Sequence, residues 1–274
     1  FSEFDRKSFP LDFAERLLDG ASSHGTPSVK SQALAWCARI LSVSDKLPKA
    51  EEYLTIAKKL DPSPESKVAQ AFIYSQKGEK GNALSILNKI ASPLSRSASL
   101  MIVAHHEGAE DAINWLKIAQ IDITDLDADG KFFFLAKLLE IKELDLARDY
   151  LKAITDSDLL EAPVLHQIIA MIHLLQAVPL EFHVSVLSQV PIDAAHFPLG
   201  TDLEALRERR EAYKYFLTVA ETAQQLNCSQ TASLYEEYAL WLELRDPDTA
   251  IDGLKKLEDK LRGNELNLRF VPLA

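Results

Sequence analysis

The sequence predicts an all-α fold built from antiparallel helical hairpins, and three observations support this prediction. Apolar residues recur at spacings of three and four along nearly the whole chain, as they do on one face of an amphipathic helix. The 274 residues include only 9 Gly, which destabilises helix interiors, whereas Ala and Leu are abundant. The links between the helical patterns are short, and short links make neighbouring helices run antiparallel.

The links carry Gly, Pro, Asp or Ser, as in DPSP at 61–64 and QKGEKG at 76–81. The stretch PIDAAHFPLG at 191–200 is either a seam between two parts of the chain or a long loop, and we favour the loop. In chain order, the predicted helices cover 10–19, 28–43, 47–60, 65–77, 80–91, 95–105, 109–119, 131–141, 144–154, 162–176, 180–189, 202–226, 230–244 and 248–261.

The second helix of successive hairpins carries a small residue followed by apolar residues four and seven positions later. This spacing places three side chains on one helix face, where the small residue lets the facing helix approach closely. In order, the triplets are Ala50, Leu54, Ala57; Ala83, Leu87, Ile90; Ala112, Leu116, Ala119; Ala147, Leu151, Ile154; and Ala250, Leu254, Leu257. The first four begin 33, 29 and 35 residues apart, which indicates a repeat.

This pattern resembles the tetratricopeptide repeat (TPR), a helix pair of about 34 residues. The fullest match is SQALAWCARILSVSDKLPKAEEYLTIAKKLDPSPE, with Leu34, Ala38 and Leu41 on the first helix and Pro62 at the end. The resemblance implies a right-handed α-solenoid, a TPR-like superhelix, as a single domain over 1–274. Its parts would be repeats at 31–156, a degenerate hairpin at 162–190 and a candidate C-terminal subdomain at 202–262.

In tetratricopeptide proteins the first helix of each hairpin lines a concave face that binds peptides or proteins. Some members hold a peptide carboxylate there with Lys, Asn and Arg, but only Arg39 matches such a position here, so we expect no carboxylate clamp. A face of Val, Phe and Met suits an apolar or amphipathic segment. By resemblance, the ligand-binding residues are Arg39, Phe72, Met101, His105, Gln32, Val68 and Gln76. The alternative is that Phe72 and Met101 belong to the core.

We therefore expect a non-enzymatic protein–protein interaction module, a scaffold or recruiting arm, which needs no cofactor. An alternative is a regulatory or sensor segment of a larger enzyme or ATPase, because the chain begins FSEFDRKSFP without Met and closes on the apolar tail NLRFVPLA. A third interpretation, an all-α enzyme, lacks a pair of acidic residues in a clearly apolar setting.

The stretch DLDADG matches part of a calcium-binding EF-hand loop. Asp125, Asp127, Asp129 and Gly130 occupy its first, third, fifth and sixth places, but the twelfth, which needs a bidentate Glu, is Ala136. An apolar run also begins before such a loop could end. We interpret Asp127 and Asp129 as residues at a helix start, where carboxylates accept backbone N–H groups.

The histidines do not have the spacing of a helical zinc site. His105 and His106 are adjacent, and His166 and His173 are seven residues apart, whereas two ligands on one helix face are four apart. We therefore expect no metal.

A net charge of −11 disfavours nucleic acid as a partner. The stretch RERREAYKYF at 207–216 mixes basic and aromatic residues, which can grip single strands. We expect instead that its arginines mostly face water beside Glu204, Glu208 and Glu211. The predicted buried stripe of that helix is Leu203, Leu206, Tyr213, Leu217 and Ala220.

The two cysteines, Cys37 and Cys228, lie within apolar helical patterns and form no disulfide framework, which favours a reducing, cytoplasmic location. No run of eighteen apolar residues is present, so we expect no membrane partner.

Overall fold

The computed structural model describes residues 18–20, 25–44, 46–178, 199–200, 202–225 and 229–262, and the regular secondary structure in these ranges is helical throughout. The all-α prediction is confirmed. The chain divides into two compact units, Phe1–Lys137 and Leu138–Ala274. Outside the described residues lie residues 10–17 of the predicted helix at 10–19, all of the one at 180–189, most of the stretch 191–200 and the second half of the hairpin at 162–190. Residues 18–20 are helical.

The first unit consists of consecutive helices joined by short links. Each helix from α1 to α5 packs against the next one in the chain, and the first helices of successive hairpins also meet, α1 against α3 and α3 against α5. The helices are α1 (Pro27–Ser42), α2 (Leu47–Leu60), α3 (Pro64–Gln76), α4 (Lys80–Asn88), α5 (Pro93–Glu107) and α6 (Ala109–Ile118). A 3₁₀ turn (Ile123–Asp125) and α7 (Ala128–Glu140) follow.

The first helix of each of these hairpins begins in the same way. The side chains of Thr26, Ser63 and Ser92 each accept a hydrogen bond from the backbone N–H three residues later, which caps the helix. A proline stands directly after each cap, at the helical position where a missing N–H costs nothing. The paired cap and proline fix where α1, α3 and α5 start.

The predicted triplets form the core of the first two hairpins. Ala50, Leu54 and Ala57 are buried, and Ala83 and Leu87 are buried with Ile90 packed against them. In the third hairpin Ala112 and Leu116 are buried as predicted. Ala119 is exposed because α6 ends at Ile118 and Ala119 is already its C-cap.

The second unit begins within α7 and is centred on a long helix. This helix, α11, packs against α10 and α12, while α13 packs on α12 and α8 on α10. The helices are α8 (Leu144–Tyr150), α9 (Asp156–Glu161), α10 (Leu165–Gln176), α11 (Leu203–Gln225), α12 (Ser229–Leu244) and α13 (Ala250–Arg262), with a 3₁₀ turn at Leu151–Ala153. The prediction of one unbroken helix at 202–226 is confirmed.

The predicted sequence of helices missed α9. Thr155 and Asp158 cap one another reciprocally at its start, so the chain makes a separate short helix before α10. The Thr-x-x-Asp spacing was readable in the sequence, although the helix itself is too short for a periodic apolar pattern.

The last predicted triplet does not form the contact between α12 and α13. Leu254 is 58% exposed and Ala250 and Leu257 are only partly buried. Gly253 is buried instead, and a Cβ there would lie 3.2 Å from Leu244 Cδ2. Helix α13 is therefore rotated about its axis relative to the prediction, and Gly253 rather than Ala250 lies where α13 comes closest to α12.

Of the predicted buried stripe of α11, Ala220 is buried as expected, but Leu206, Tyr213 and Leu217 are only partly buried. Leu203 is 85% exposed, whereas the buried residues are Ala205, Glu208, Arg209, Ala212, Phe216, Ala220 and Ala223. Helices α10 and α12 pack on the face of α11 that is rich in alanine, because small side chains let the helices come close together. Two charged residues lie on that face because their partners are there as well.

Candidate binding site around Arg39

Arg39 on α1 is held between two aromatic rings. Its guanidinium carbon lies 4.9 Å from the ring centroid of Trp36 and 4.8 Å from that of Phe72 on α3, both within the range of cation–π attraction. One of its nitrogens, Nη2, donates to Met101 Sδ on α5 at 3.2 Å. Three of the predicted site residues, one from the first helix of each successive hairpin, thus meet at one point.

Two predicted site residues turn out to be parts of the core. Val68 is 2% exposed and Phe72 is 6% exposed, and both pack with Ala98 and Ile102 between α3 and α5. Met101 is partly buried against the same cluster. The alternative core interpretation therefore holds for Phe72, although its ring also contacts Arg39. The sequence spacing could not distinguish a core residue from a site residue here, because the Phe72 ring both packs in the core and contacts Arg39.

The remaining predicted site residues lie apart from this contact. Gln32 on α1 is exposed and Gln76 ends α3 in a partly buried position. His105 on α5 is exposed, and its ring meets the His106 ring edge-on at 5.0 Å. His106 Nε2 is in turn 3.0 Å from Ser75 Oγ.

Two carboxylates, those of Asp127 and Asp129, lie close enough to Arg39 to act on its charge without forming an ion pair with it. Burial lowers the pKa of Arg39, while the charges of Asp129 and Asp127 act to raise it. Burial likewise raises the pKa of Asp129, and the Arg39 charge opposes this. Within the described part of the chain, no salt bridge joins Arg39 to a carboxylate, and Met101 Sδ is the one hydrogen-bond acceptor that it contacts.

A small pocket opens beside the guanidinium. Its volume is about 10 Å³, which is near the room that one water molecule needs. Its lining consists of Ala35, Trp36, Arg39, Glu65, Val68 and Leu94. One carboxylate oxygen of this lining, Oε2 of Glu65, is buried without a hydrogen-bond partner among the residues that the structure describes. The sequence did not single out Glu65 or Trp36 as site residues. Both fit the regular spacing of apolar and polar residues along their helices, so neither looks unusual there.

The DLDADG stretch is a helix start that packs closely on α5. The Gly130 N–H donates to Asp127 Oδ1 at 2.8 Å, and the Asp127 N–H donates to Ser97 Oγ at 3.1 Å. Gly130 is needed for this approach, because a Cβ there would lie 2.0 Å from Ser97 Oγ. Asp125 instead pairs with Arg96 at 3.0 Å. The carboxylates thus point to different partners.

The two histidines of α10, His166 and His173, contact groups of the same chain. His173 Nδ1 on α10 lies 2.5 Å from Glu208 Oε2 on α11, and His166 Nδ1 lies 3.0 Å from the carbonyl oxygen of Pro163. The other oxygen of Glu208 accepts from Arg148 Nη2 at 3.2 Å. Over the residues that the structure describes, no group of three His, Cys, Asp or Glu side chains could hold a metal ion.

The basic stretch on α11 is mostly occupied by intramolecular contacts. Arg209 is buried and donates to the carbonyl oxygen of Arg245 at 3.1 Å, so it is an exception to the prediction that these arginines mostly face water. Arg210 binds Asp246 through two hydrogen bonds and also contacts Asp248. Lys214 pairs with Glu211. Of the four basic residues of this stretch, Arg207 is exposed, and the other three contact groups of the same chain.

None of the helices in the described ranges is long and apolar enough to cross a membrane. Comparisons of the chain with known protein families, with characterised proteins and with solved structures found no match.

Proposed function

We propose that this protein is a non-enzymatic interaction module that binds an apolar or amphipathic segment of a peptide or protein at the face around Arg39. In this proposal the hairpins of the first unit stack as in a TPR-like right-handed solenoid, and the module acts as a scaffold or recruiting arm in the cytoplasm. The deeply buried thiol of Cys37, whose pKa burial raises to about 11, is compatible with a reducing compartment.

The observation that carries the proposal is the arrangement of Arg39. Its two faces are covered by the rings of Trp36 and Phe72, yet a thioether is the one acceptor that its nitrogens contact in the described chain. Rings that fix a guanidinium in place reduce the entropy that it loses on binding. A fixed donor beside an apolar lining is typical of a site that anchors a partner and fixes its orientation.

The test is a selection of random dodecapeptides displayed on phage against the whole chain, followed by calorimetry with the best synthetic peptide. We expect Arg39→Met to lower the affinity about tenfold or more, because a hydrogen bond to a charged group is lost. The control Lys59→Met changes an exposed residue of α2 and should leave the affinity unchanged. Circular dichroism checks that both variants keep their helicity.

Two results would contradict the proposal. One is a selection that enriches no peptide. The other is a peptide that binds the Arg39→Met variant as tightly as it binds the original chain.

A further inference from the structure

Met101 supplies the acceptor that Arg39 contacts, and this acceptor is a weak one. Arg39 Nη2 on α1 donates to Met101 Sδ on α5 at 3.2 Å. A thioether sulfur accepts hydrogen bonds poorly, whereas a guanidinium has five N–H groups to donate. Within the described ranges no salt bridge joins Arg39 to a carboxylate, and Asp127 and Asp129 act on its charge only from a distance. A stronger acceptor in the place of the sulfur would therefore gain a charge-assisted hydrogen bond.

Oxidation of the Met101 side chain produces such an acceptor. A peroxide transfers one oxygen atom to the sulfur, so that an S–O bond forms and the O–O bond breaks. The leaving hydroxide takes the proton of the transferred oxygen and becomes water. The sulfur is oxidised by two electrons and the peroxide is reduced by two. The product, methionine sulfoxide, is polar, and methionine sulfoxide reductases convert it back.

The surroundings of Met101 permit this reaction and give it a specific consequence. Met101 packs against the cluster that contains Phe72 and Ile102, but it keeps part of its surface exposed to solvent. Hydrogen peroxide is only slightly larger than water. A sulfoxide without a partner beside such apolar side chains would destabilise the fold. Because the N–H groups of Arg39 already lie at the sulfur, oxidation here creates a polar contact between α1 and α5 instead.

The second methionine of the chain provides an internal comparison. The sequence contains two methionines, Met101 and Met171. Met171 on α10 is also partly buried, but in the described part of the chain no arginine or lysine donates to its sulfur. The two residues therefore differ in the cation beside the sulfur rather than in being covered or exposed.

We propose that Met101 is a redox-sensitive modification site, whose sulfoxide oxygen accepts a hydrogen bond from Arg39 and withdraws Arg39 from partner binding. The second half of this inference rests on the proposed function, in which Arg39 anchors the bound segment. The thioether leaves most of the Arg39 N–H groups to a partner, whereas the sulfoxide competes for them. Oxidation therefore weakens the complex, and reduction of the sulfoxide restores it.

The first experiment measures the contact between the sulfoxide and Arg39. It uses the whole chain with Met171→Leu, with and without Arg39→Leu, treated with hydrogen peroxide and then with dithiothreitol, which reverses disulfides and sulfenic acids but not the sulfoxide. Mass spectrometry of peptides checks that Met101 carries one added oxygen. We expect oxidation to lower the urea midpoint by about 0.5 M more in the Arg39→Leu protein, because its sulfoxide lacks the donor.

The second experiment measures binding of the dodecapeptide selected above, after the peroxide has been removed. We expect the oxidised chain to bind it about tenfold more weakly, and methionine sulfoxide reductases to restore the affinity. Met101→Leu should not respond to peroxide, whereas Met171→Leu should keep the full response. Met101→Gln, whose amide oxygen stands in for the sulfoxide oxygen, should bind weakly without peroxide, which keeps the inference testable if Arg39→Leu does not fold.

The outcomes distinguish the inference from the proposed function. Equal changes of the urea midpoint with and without Arg39 overturn the inference, and so does a peroxide response that persists in Met101→Leu. If the peptide depends on Arg39 but binds the oxidised and reduced chains equally well, the inference is overturned and the proposed function stands. If the peptide does not depend on Arg39, the proposed function fails together with the regulation of binding, and the urea midpoints alone decide whether Arg39 holds the sulfoxide.

Discussion

At the scale of single residues, this protein depends on a few positions where side-chain size is limited by a neighbouring helix. Gly130 is the clearest case, because it lies where α7 approaches Ser97 of α5. The same glycine had suggested a calcium loop from its sequence context. Its actual role is to allow close packing, and Asp127, three residues earlier, caps the helix by accepting from the Gly130 N–H.

We predict that Gly130→Ala destabilises the protein by about 1–3 kcal/mol, the usual cost of adding a methyl group to a filled space. The added Cβ would lie 2.0 Å from Ser97 Oγ and 2.5 Å from Ser97 Cβ, so the helices must move apart. Urea denaturation of the whole chain followed by circular dichroism measures the change.

The matched control is Gly81→Ala on α4, where an added Cβ meets no atom within 4 Å. Alanine favours a helix by up to about 1 kcal/mol over glycine, so this variant should be neutral or slightly stabilised. Equal effects of the two substitutions would show that the contact with Ser97 is not limiting.

At the scale of helices, the contact between α10 and α11 is organised by a buried carboxylate. Glu208 has a side chain that is 5% exposed and binds both His173 and Arg148. Tyr215 stacks on the His173 ring at 5.8 Å. Because these partners surround it, Glu208 lies on the buried face of α11 that hydrophobicity alone would assign to leucine.

We predict that Glu208→Ala costs about 2 kcal/mol or more, since two hydrogen-bond partners lose their acceptor inside the protein. Glu204→Ala removes the second acceptor of Arg148, but this carboxylate is 71% exposed, so its loss should cost less than about 1 kcal/mol. Chemical denaturation of both variants compares the two costs. A similar loss for both would mean that burial of Glu208 contributes nothing.

At the scale of the whole molecule, charge limits the partners. The net charge is −11, and most of the basic residues near 207–216 are held by carboxylates or carbonyl oxygens of the same chain. A nucleic-acid partner needs accessible cations that replace counterions on its phosphates.

We therefore predict no binding of a fluorescent single-stranded oligonucleotide by anisotropy, even at low salt, where phosphate contacts are strongest. Arg207→Ala, which removes an exposed arginine of this stretch, should leave the signal unchanged. Binding in the low micromolar range that decreases steeply with added salt would contradict this prediction.

The sequence by itself determined that this protein is helical, and where most helices begin and end. The reason is local: apolar period, caps and short links act within one or two turns, so the predicted bounds of α2 agree with Leu47–Leu60 and those of α11 nearly so. The triplets of the first hairpins were also readable, because alanine at a close contact leaves a regular spacing.

Only the tertiary structure decided which face of each helix is buried and which residues meet. The α11 stripe and the Gly253 contact differ from the prediction because neighbours distant in sequence select the face, and a rotation of one position changes every contact. The meeting of Trp36, Arg39, Glu65 and Phe72 has the same origin. The spacing of apolar residues indicates which residues can be buried. It does not indicate which residues of other helices will cover them.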